Sequence, residues 1–186
     1  PLAAGGTGFV VQNRNKRSVT LNLGKPEGKA VFRKLVERSD VLINNMRLSA
    51  AAKLGVDYPS VRAVNPRLIY GSITAYGTQG PYAGKAGYDR LTQGFSGAMY
   101  RRWENGTPVS TGIFLSDPSI PMLMGYGIAL ALLQREKTGE GQVVETSLLQ
   151  AAIAMQMTNL VKRENSAEPL RDLDVPAYGI YHCSDD

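Results

Sequence analysis

An aspartate placed directly before a proline, at the head of a long apolar run, can do covalent chemistry, and Asp117-Pro118 is such a pair. Aspartate is a favoured N-cap and proline is favoured at the first helical position. The pair therefore predicts a helix over residues 118–136 with the Asp117 carboxylate at its positive end. Helix polarity favours the ionised carboxylate, while the apolar neighbours Phe114 and Leu115 oppose it by desolvation. An ionised, partly desolvated carboxylate is a competent nucleophile. Read from these residues alone, the same side chain is more ordinary as a plain helix cap.

Other chemistry is narrowly bounded. The chain has one cysteine and one histidine, adjacent as His182-Cys183. A single cysteine excludes an internal disulfide framework and fits a reducing cytoplasm. A His/Cys metal centre would need two or three further ligands, and no EF-hand spacing is present, so no metal is expected. A second candidate site is the segment YGTQGPYAGKAGYD at residues 76–89, dominated by glycine and small residues. Such a loop serves where backbone must approach a partner closely or adopt positive φ. It is equally readable as a surface loop without a ligand.

Charge is uneven along the chain. Residues 1–67 carry twelve Lys/Arg against four Asp/Glu, whereas the remainder is slightly acidic, for a formal total of +5. A basic N-terminal third suits a phosphate-bearing partner. Lys29, Arg33, Lys34 and Arg38 also fit a solvated helix face. No nucleic-acid reading motif or aromatic interleaving accompanies the charge, so nucleic acid is not the expected partner.

These side chains must be positioned by elements that the hydrophobic pattern outlines. Residues 1–12 read as an irregular lead-in, and residues 19–23 (VTLNL) alternate as a strand. A helix over 26–38, a short buried strand at 41–43, a short helix over 59–64 and a strand over 68–73 follow. A helix is predicted over 90–100, then a polar turn at Asn105-Gly106. The helix over 118–136 is apolar nearly all round and so expected to be buried. Thr138-Gly139-Glu140-Gly141 stops it, before a strand at 143–147 and a helix over 148–162. Past residue 164 the chain reads as a linker. Helices alternating with strands at this spacing predict an α/β fold with an open, mainly parallel sheet and flanking helices. The apolar stretch 113–133 is too interrupted by polar residues and proline to span a bilayer. An opening Pro1 and a last segment that stops mid-element suggest an excerpt of a longer protein.

Four collinear phrases carry a resemblance: NRNKRS at 13–18 with LNL at 21–23, NPRLIY at 65–70, GYD at 87–89, and TGEGQVV at 138–144 after the helix. Together they resemble the CaiB/BaiF family of family III CoA transferases, which includes formyl-CoA:oxalate and carnitine CoA transferases and the α-methylacyl-CoA racemases. The resemblance implies a Rossmann-like large domain, with residues 13–163 as its CoA-binding portion and 164–186 as a linker and the start of a second domain. It implies that Asp117 is the acyl-accepting nucleophile and that Asp89 helps shape the transferase site. The implied contacts to coenzyme A fall on Leu21, Asn22, Leu23 and Gly24, on Asn45, Met46 and Arg47, on Lys53, and on Ala86, Gly87 and Tyr88. The family's Gly-Asp pair is Ser116-Asp117 here, and its Glu-Asn-Phe followed by Pro-Gly is replaced by Asn44-Asn45-Met46-Arg47-Leu48-Ser49.

The implied reaction moves CoA from an acyl-CoA to a carboxylic acid, in the cytoplasm, with an interlocked homodimer as the assembly and no membrane or nucleic-acid partner. A racemase would need two acid/base groups flanking the α-carbon, and that branch carries histidine where this chain has Tyr88. A phenol, which ordinarily holds its proton far above neutrality, is a poor substitute. A truncated CoA-binding module without catalysis is the third alternative. Tyr100, Arg101, Arg102 and Trp103, between the glycine-rich loop and Asp117, are readable either as acyl contacts or as a surface turn.

Overall fold

The computed structural model describes residues 6–157. Its centre is a parallel sheet of three strands, β1 (Val41–Asn44), β2 (Ile69–Thr74) and β5 (Val143–Ser147), in the order β1-β2-β5. Register pairs Val41 with Ile69 on one side of β2 and Tyr70 with Val143 on the other. β2 is central, and its residues Ile69, Tyr70, Gly71 and Ser72 are all buried. Parallel strands need covered faces, and helices supply them here.

One face carries α2 (Pro26–Glu37), α3 (Leu48–Leu54) and α4 (Tyr58–Arg62). Val36, Val61, Leu68 and Tyr70 form its core, flanked by Phe32, Leu42, Tyr58, Val64 and Val143. Burying aliphatic side chains of this size contributes roughly 1.5–3 kcal/mol each. The other face carries the long helix α6 (Ser116–Thr138). It can approach because the contact points lack side chains: a Cβ on Gly71 would lie 3.0 Å from the Met124 sulfur, and one on Gly127 would lie 2.7 Å from Val144.

At the amino ends of the strands, α6 is clamped. The Arg135 guanidinium donates to Asp40 at 2.9 Å and to the Arg67 carbonyl at 3.2 Å, and Arg67 donates to the Gly139 carbonyl at 3.1 Å. Gly139 ends the helix in the left-handed region (φ 76°), as its sequence position predicts. The Gly141 N–H then donates to the Pro66 carbonyl at 2.8 Å, and a Cβ on Gly141 would overlap the Leu68 carbonyl oxygen. The phrases NPRLIY and TGEGQVV therefore pack on one another. Since the C-terminus of α6 lies at this end, Asp117 and the start of α6 lie toward the carboxyl ends of the strands, where ligands of open α/β sheets bind.

Several expectations are corrected. Residues 6–12, read as irregular, form α1 (Gly6–Gln12). Residues 19–23 join no sheet: no strand lies beside them among the described residues, and an extended segment without a neighbour has no ladder for its backbone groups. Asn22 instead folds locally, its side chain accepting from the Gly24 N–H at 3.0 Å as the chain turns into α2. The strand at 41–43 extends to Asn44 and is not fully buried, because β1 is an edge strand and Ile43 is exposed. The helix expected over 90–100 breaks: α5 (Asp89–Phe95) ends before Gly97, whose φ of 80° opens a 3₁₀ turn at Ala98–Arg101. Asn105 (φ 50°) and Gly106 (φ 74°) make the expected turn, joining β3 (Trp103–Glu104) to β4 (Thr107–Pro108). Nor is α6 buried all round. Ser119, Ile120, Met124, Ala131 and Arg135 face inward while Met122, Tyr126 and Leu133 are exposed, because the sheet and its short neighbours cover one side only. α7 (Leu148–Ala154) is the described part of the helix expected over 148–162. The linker past 164, with His182 and Cys183, lies outside the described residues.

Candidate active site at the head of α6

The glycine-rich loop leaves β2 and returns over its end. Gly77, Gly80 and Gly84 have φ of 96°, 89° and 77°, the left-handed backbone that their composition suggested. The Gly77 N–H donates to the Thr74 hydroxyl at 2.9 Å, and the Tyr76, Tyr82 and Phe95 rings cluster with centroids 4.9–5.5 Å apart. At Gly87 a Cβ would lie 2.7 Å from that of Ala75, so only glycine lets the loop close here. The closure delivers Asp89 to the interior, 3% exposed.

Asp89 is what holds the head of α6. Its Oδ2 accepts from the backbone N–H groups of Leu115 at 2.8 Å, Ser116 at 2.6 Å and Asp117 at 3.2 Å. These are orphan donors of a helix N-terminus, which a local cap would ordinarily satisfy. The expectation that Asp117 itself caps the helix is thus corrected. The helix starts at Ser116 with Leu115 as the capping residue, and Asp117 sits within the first turn. A buried acid 26–28 residues upstream performs the capping, so the Asp117 side chain is not needed for it.

Asp117 is exposed to solvent on one side, with the protein beneath it. Burial pushes its carboxyl up from the ordinary aspartate range, and the negative charge of Asp89 pushes it further the same way. The desolvation expected to oppose ionisation, joined by the like charge of Asp89, therefore outweighs the helix end that favours it. Elsewhere in the sheet, burial also raises the Tyr70 phenol, against the lowering effect of its hydrogen bond from Asn44 at 2.9 Å.

Two buried polar residues around this head, Thr92 and Gln93, were not singled out from the sequence. Gln93 donates to the other Asp89 oxygen, and the Thr92 and Ser116 hydroxyls are 2.9 Å apart. Ser116, the departure from the family's glycine, is therefore a fully buried hydrogen-bonding residue. The available signal was spacing: Thr92 and Gln93 lie three and four positions after Asp89, on the same helix face.

The remaining candidates occupy separate segments. Leu21, Asn22, Leu23 and Gly24 lead into α2, and a Cβ on Gly28 would overlap the Asn22 carbonyl oxygen, so the two segments pack tightly. Asn45, Met46 and Arg47 form the turn after β1, where the Met46 N–H donates to Asn44 at 2.7 Å. Lys53 is exposed in the last turn of α3. Ala86 and Gly87 lie in the glycine-rich loop, and Tyr88 is 74% exposed just before α5. Among the described residues no hydrogen bond or ion pair joins the 21–24 or 45–47 segments to Asp89 or Asp117. Tyr100 and Trp103 are surface residues whose rings meet at 5.5 Å, with the indole N–H donating to the Tyr100 carbonyl. No cluster of three potential metal ligands occurs among the described residues, and no described helix is long and apolar enough to cross a membrane.

The sequence matches CoA-transferase family III over residues 2–186. The chain belongs to that family. It is 42% identical over 144 residues to a succinate–glutarate CoA-transferase of Agrobacterium fabrum, covering 77% of this chain and 36% of that protein. It is 37% identical over 184 residues to the β subunit of a succinyl-CoA–L-malate CoA-transferase of Chloroflexus aurantiacus, covering 97% of this chain and 42% of that one. The fold matches a solved CaiB/BaiF family protein from Brucella suis with a TM-score of 0.75 and 38% identity, over 79% of this chain and 39% of that one. The chain thus spans roughly two fifths of the relatives it matches. The family's mixed α/β architecture with a helix-flanked parallel sheet is the one observed.

Proposed function

We propose that the protein to which this chain belongs transfers CoA between carboxylic acids through covalent intermediates on Asp117. One observation carries the reading: a buried acid, Asp89, satisfies the N–H groups at the head of α6, so that a second acid, Asp117, is presented there with a more basic carboxylate. A more basic carboxylate is the better nucleophile, provided that it is ionised.

A carboxylate oxygen of Asp117 attacks the thioester carbonyl of the donor acyl-CoA. The C–S bond breaks, CoA leaves as thiolate, and a mixed anhydride remains. The thiolate attacks the aspartyl carbonyl and expels the donor acid, leaving CoA as a thioester of Asp117. An acceptor carboxylate attacks that thioester carbonyl, releasing the thiolate and forming a second mixed anhydride. The thiolate then takes the acceptor acyl group and frees the Asp117 carboxylate. No external base is needed at any step. The first N–H groups of α6 already serve Asp89, so oxyanion stabilisation falls to the backbone of the glycine-rich loop.

The CoA moiety is assigned to Leu21–Gly24, Asn45–Arg47, Lys53 and Ala86–Tyr88; the segment after β1 and the loop after β2 support it by leaving the carboxyl ends of strands, and Lys53, in the last turn of α3, is assigned on the family resemblance. The names of the two relatives, joined by a formyl-CoA:oxalate CoA-transferase of Streptomyces coelicolor at 36% identity, favour short carboxylic acids as donor and acceptor. Racemase chemistry has weaker support, since position 88 offers an exposed tyrosine and no imidazole.

The test uses the full-length protein, incubated with succinyl-CoA, glutaryl-CoA and formyl-CoA in turn, then quenched with hydroxylamine and mapped by mass spectrometry. A hydroxamate on Asp117 that is absent from Asp117→Ala establishes the relay. Exchange of the α-proton with deuterated water, without any adduct, would replace transfer by racemisation.

A further inference from the structure

A fully buried amide lies beneath the proposed nucleophile, and no step of the transfer uses it. Gln93, on α5 one turn after Asp89, is 0% exposed. A side-chain amide has two N–H donors and one carbonyl oxygen, and here every one is engaged. Its Nε2 donates to Asp89 Oδ1 and, at 2.9 Å, to the Ile113 carbonyl. Its Oε1 accepts from the Thr111 N–H and the Thr111 hydroxyl, both at 3.1 Å, and from the Ser110 hydroxyl at 3.4 Å. One side chain thus ties the strap of residues 110–113, which leads into α6, to the acid that caps α6.

We propose that Gln93 is the positioning residue of the transfer site, fixing Asp89 and the 110–113 strap relative to one another and thereby the direction in which Asp117 leaves the helix. By holding Oδ1 of Asp89, the amide leaves Oδ2 to face the three N–H groups at the head of α6. An attacking carboxylate must be aligned with the thioester carbonyl, and a misplacement of about 1 Å costs on the order of a hundredfold in rate. A buried amide is costly unless fully bonded, and full bonding is what lets it specify one arrangement. The kinetic part of this inference rests on the reading of Asp117 as nucleophile; the positional part does not.

Glutamate at position 93 separates positioning from packing. It keeps the shape and the bonds from Ser110 and Thr111 that tie the strap, gives up the bond to Ile113, and sets a second carboxyl against Asp89 Oδ1, so the two must share a proton for that contact to survive. Among the described residues, these other groups lie around the pair. Asp117 comes from α6, Arg102 reaches Gly112 on the strap and pairs with Glu104, Gln156 past α7 does not titrate, and Tyr88 and Arg90 flank Asp89 on the exposed side.

The experiment compares full-length wild type, Gln93→Met and Gln93→Glu. Two readouts are used: the pH profile of succinyl-CoA:glutarate transfer, and the rate of carbodiimide–glycinamide labelling at Asp117 relative to exposed Glu37. In Gln93→Met, kcat is expected to fall about tenfold or more with KM for succinyl-CoA nearly unchanged, and Asp117 labelling to shift by about threefold. In Gln93→Glu, activity is expected near wild type at the acid end, with an alkaline limb that wild type lacks. Wild-type labelling in Gln93→Met, or a Gln93→Glu profile with the wild-type shape, overturns the proposal. If Gln93→Met does not fold, the alkaline limb of Gln93→Glu decides alone. If wild type forms no hydroxamate at Asp117, the transfer reading fails, and the labelling comparison still decides the role of Gln93.

Discussion

Removing the Asp89 carboxylate exposes the cost of satisfying a helix from a distance. In Asp89→Ala, the N–H groups of Leu115, Ser116 and Asp117 lose their acceptor together, while the Gln93 NH₂ keeps only its bond to Ile113. Bonds to a charged acceptor contribute about 1.5–3 kcal/mol each, and a donor left buried without a partner costs about 1–3 kcal/mol. Only Ser116 is fully buried, so water can reach the other two and the sum should be well below three full bonds. The expected loss is about 3–5 kcal/mol. Asp89→Asn should cost less, about 2–3 kcal/mol, because one oxygen still faces α6 while the new NH₂ confronts the Gln93 NH₂. Gln93 cannot turn over to relieve that clash, since its oxygen is held by Thr111 and Ser110. The assay is hydrogen exchange on the peptide spanning residues 115–117, alongside urea unfolding. About 2 kcal/mol at those amides corresponds to exchange roughly 30-fold faster. Unchanged exchange in Asp89→Ala would refute the capping role outright, whatever the global stability did.

Three further outcomes are expected. Asp117→Asn should abolish transfer yet modestly stabilise the fold: the folded state disfavours ionised Asp117, so a penalty exists above its raised pKa and disappears as pH falls below the unfolded value near 4. Urea midpoints measured from neutral to acid pH should show the gain shrink, and wild-type kcat should fall over an acid limb lying above the ordinary aspartate range. Gly139→Ala and Gly141→Ala should differ although the substitution is the same. The first strains only φ, at about 1–2 kcal/mol, while the second drives a methyl into the Leu68 carbonyl and should cost more or prevent folding. Ser116→Gly should lose about 1 kcal/mol in urea unfolding, through its bond to Thr92, while retaining transfer activity because the Asp89 cap uses its backbone N–H.

The elements with strong local signals were legible in the sequence. Pro26 and Pro59 at helix starts, Gly139 at a helix end and Asn105-Gly106 in a hairpin each encode a backbone preference in the residue itself. What the sequence concealed depends on partners distant along the chain. Residues 19–23 alternate as a strand should, but alternation cannot show whether a neighbour is present. The apolar length of α6 suggested burial all round, whereas only one side meets the sheet. Asp117 read as a cap because local residues ordinarily cap helices, and nothing within 20 positions shows that Asp89 performs that task. Gln93 and Thr92 were passed over because polar residues on a short helix usually face solvent.

The two ends of the sheet divide the phrases that marked the family. NPRLIY and TGEGQVV meet at the amino end, where Arg67, Arg135, Gly139 and Gly141 tie α6 to β2. GYD lies toward the opposite end, where its aspartate serves the head of the same helix. The helix is therefore fixed at both termini by residues far away in sequence, through arginine at one and an acid at the other. This complements its dipole, positive at the head and negative at the tail. On the reading of Asp117 as nucleophile, the arrangement also separates stability from chemistry. A nucleophile that capped its own helix would spend its lone pairs on backbone N–H groups, lowering its basicity when reactivity requires the reverse. On that reading, the Asp89 carboxylate holds the helix while its charge raises the Asp117 carboxyl that the proposed transfer uses.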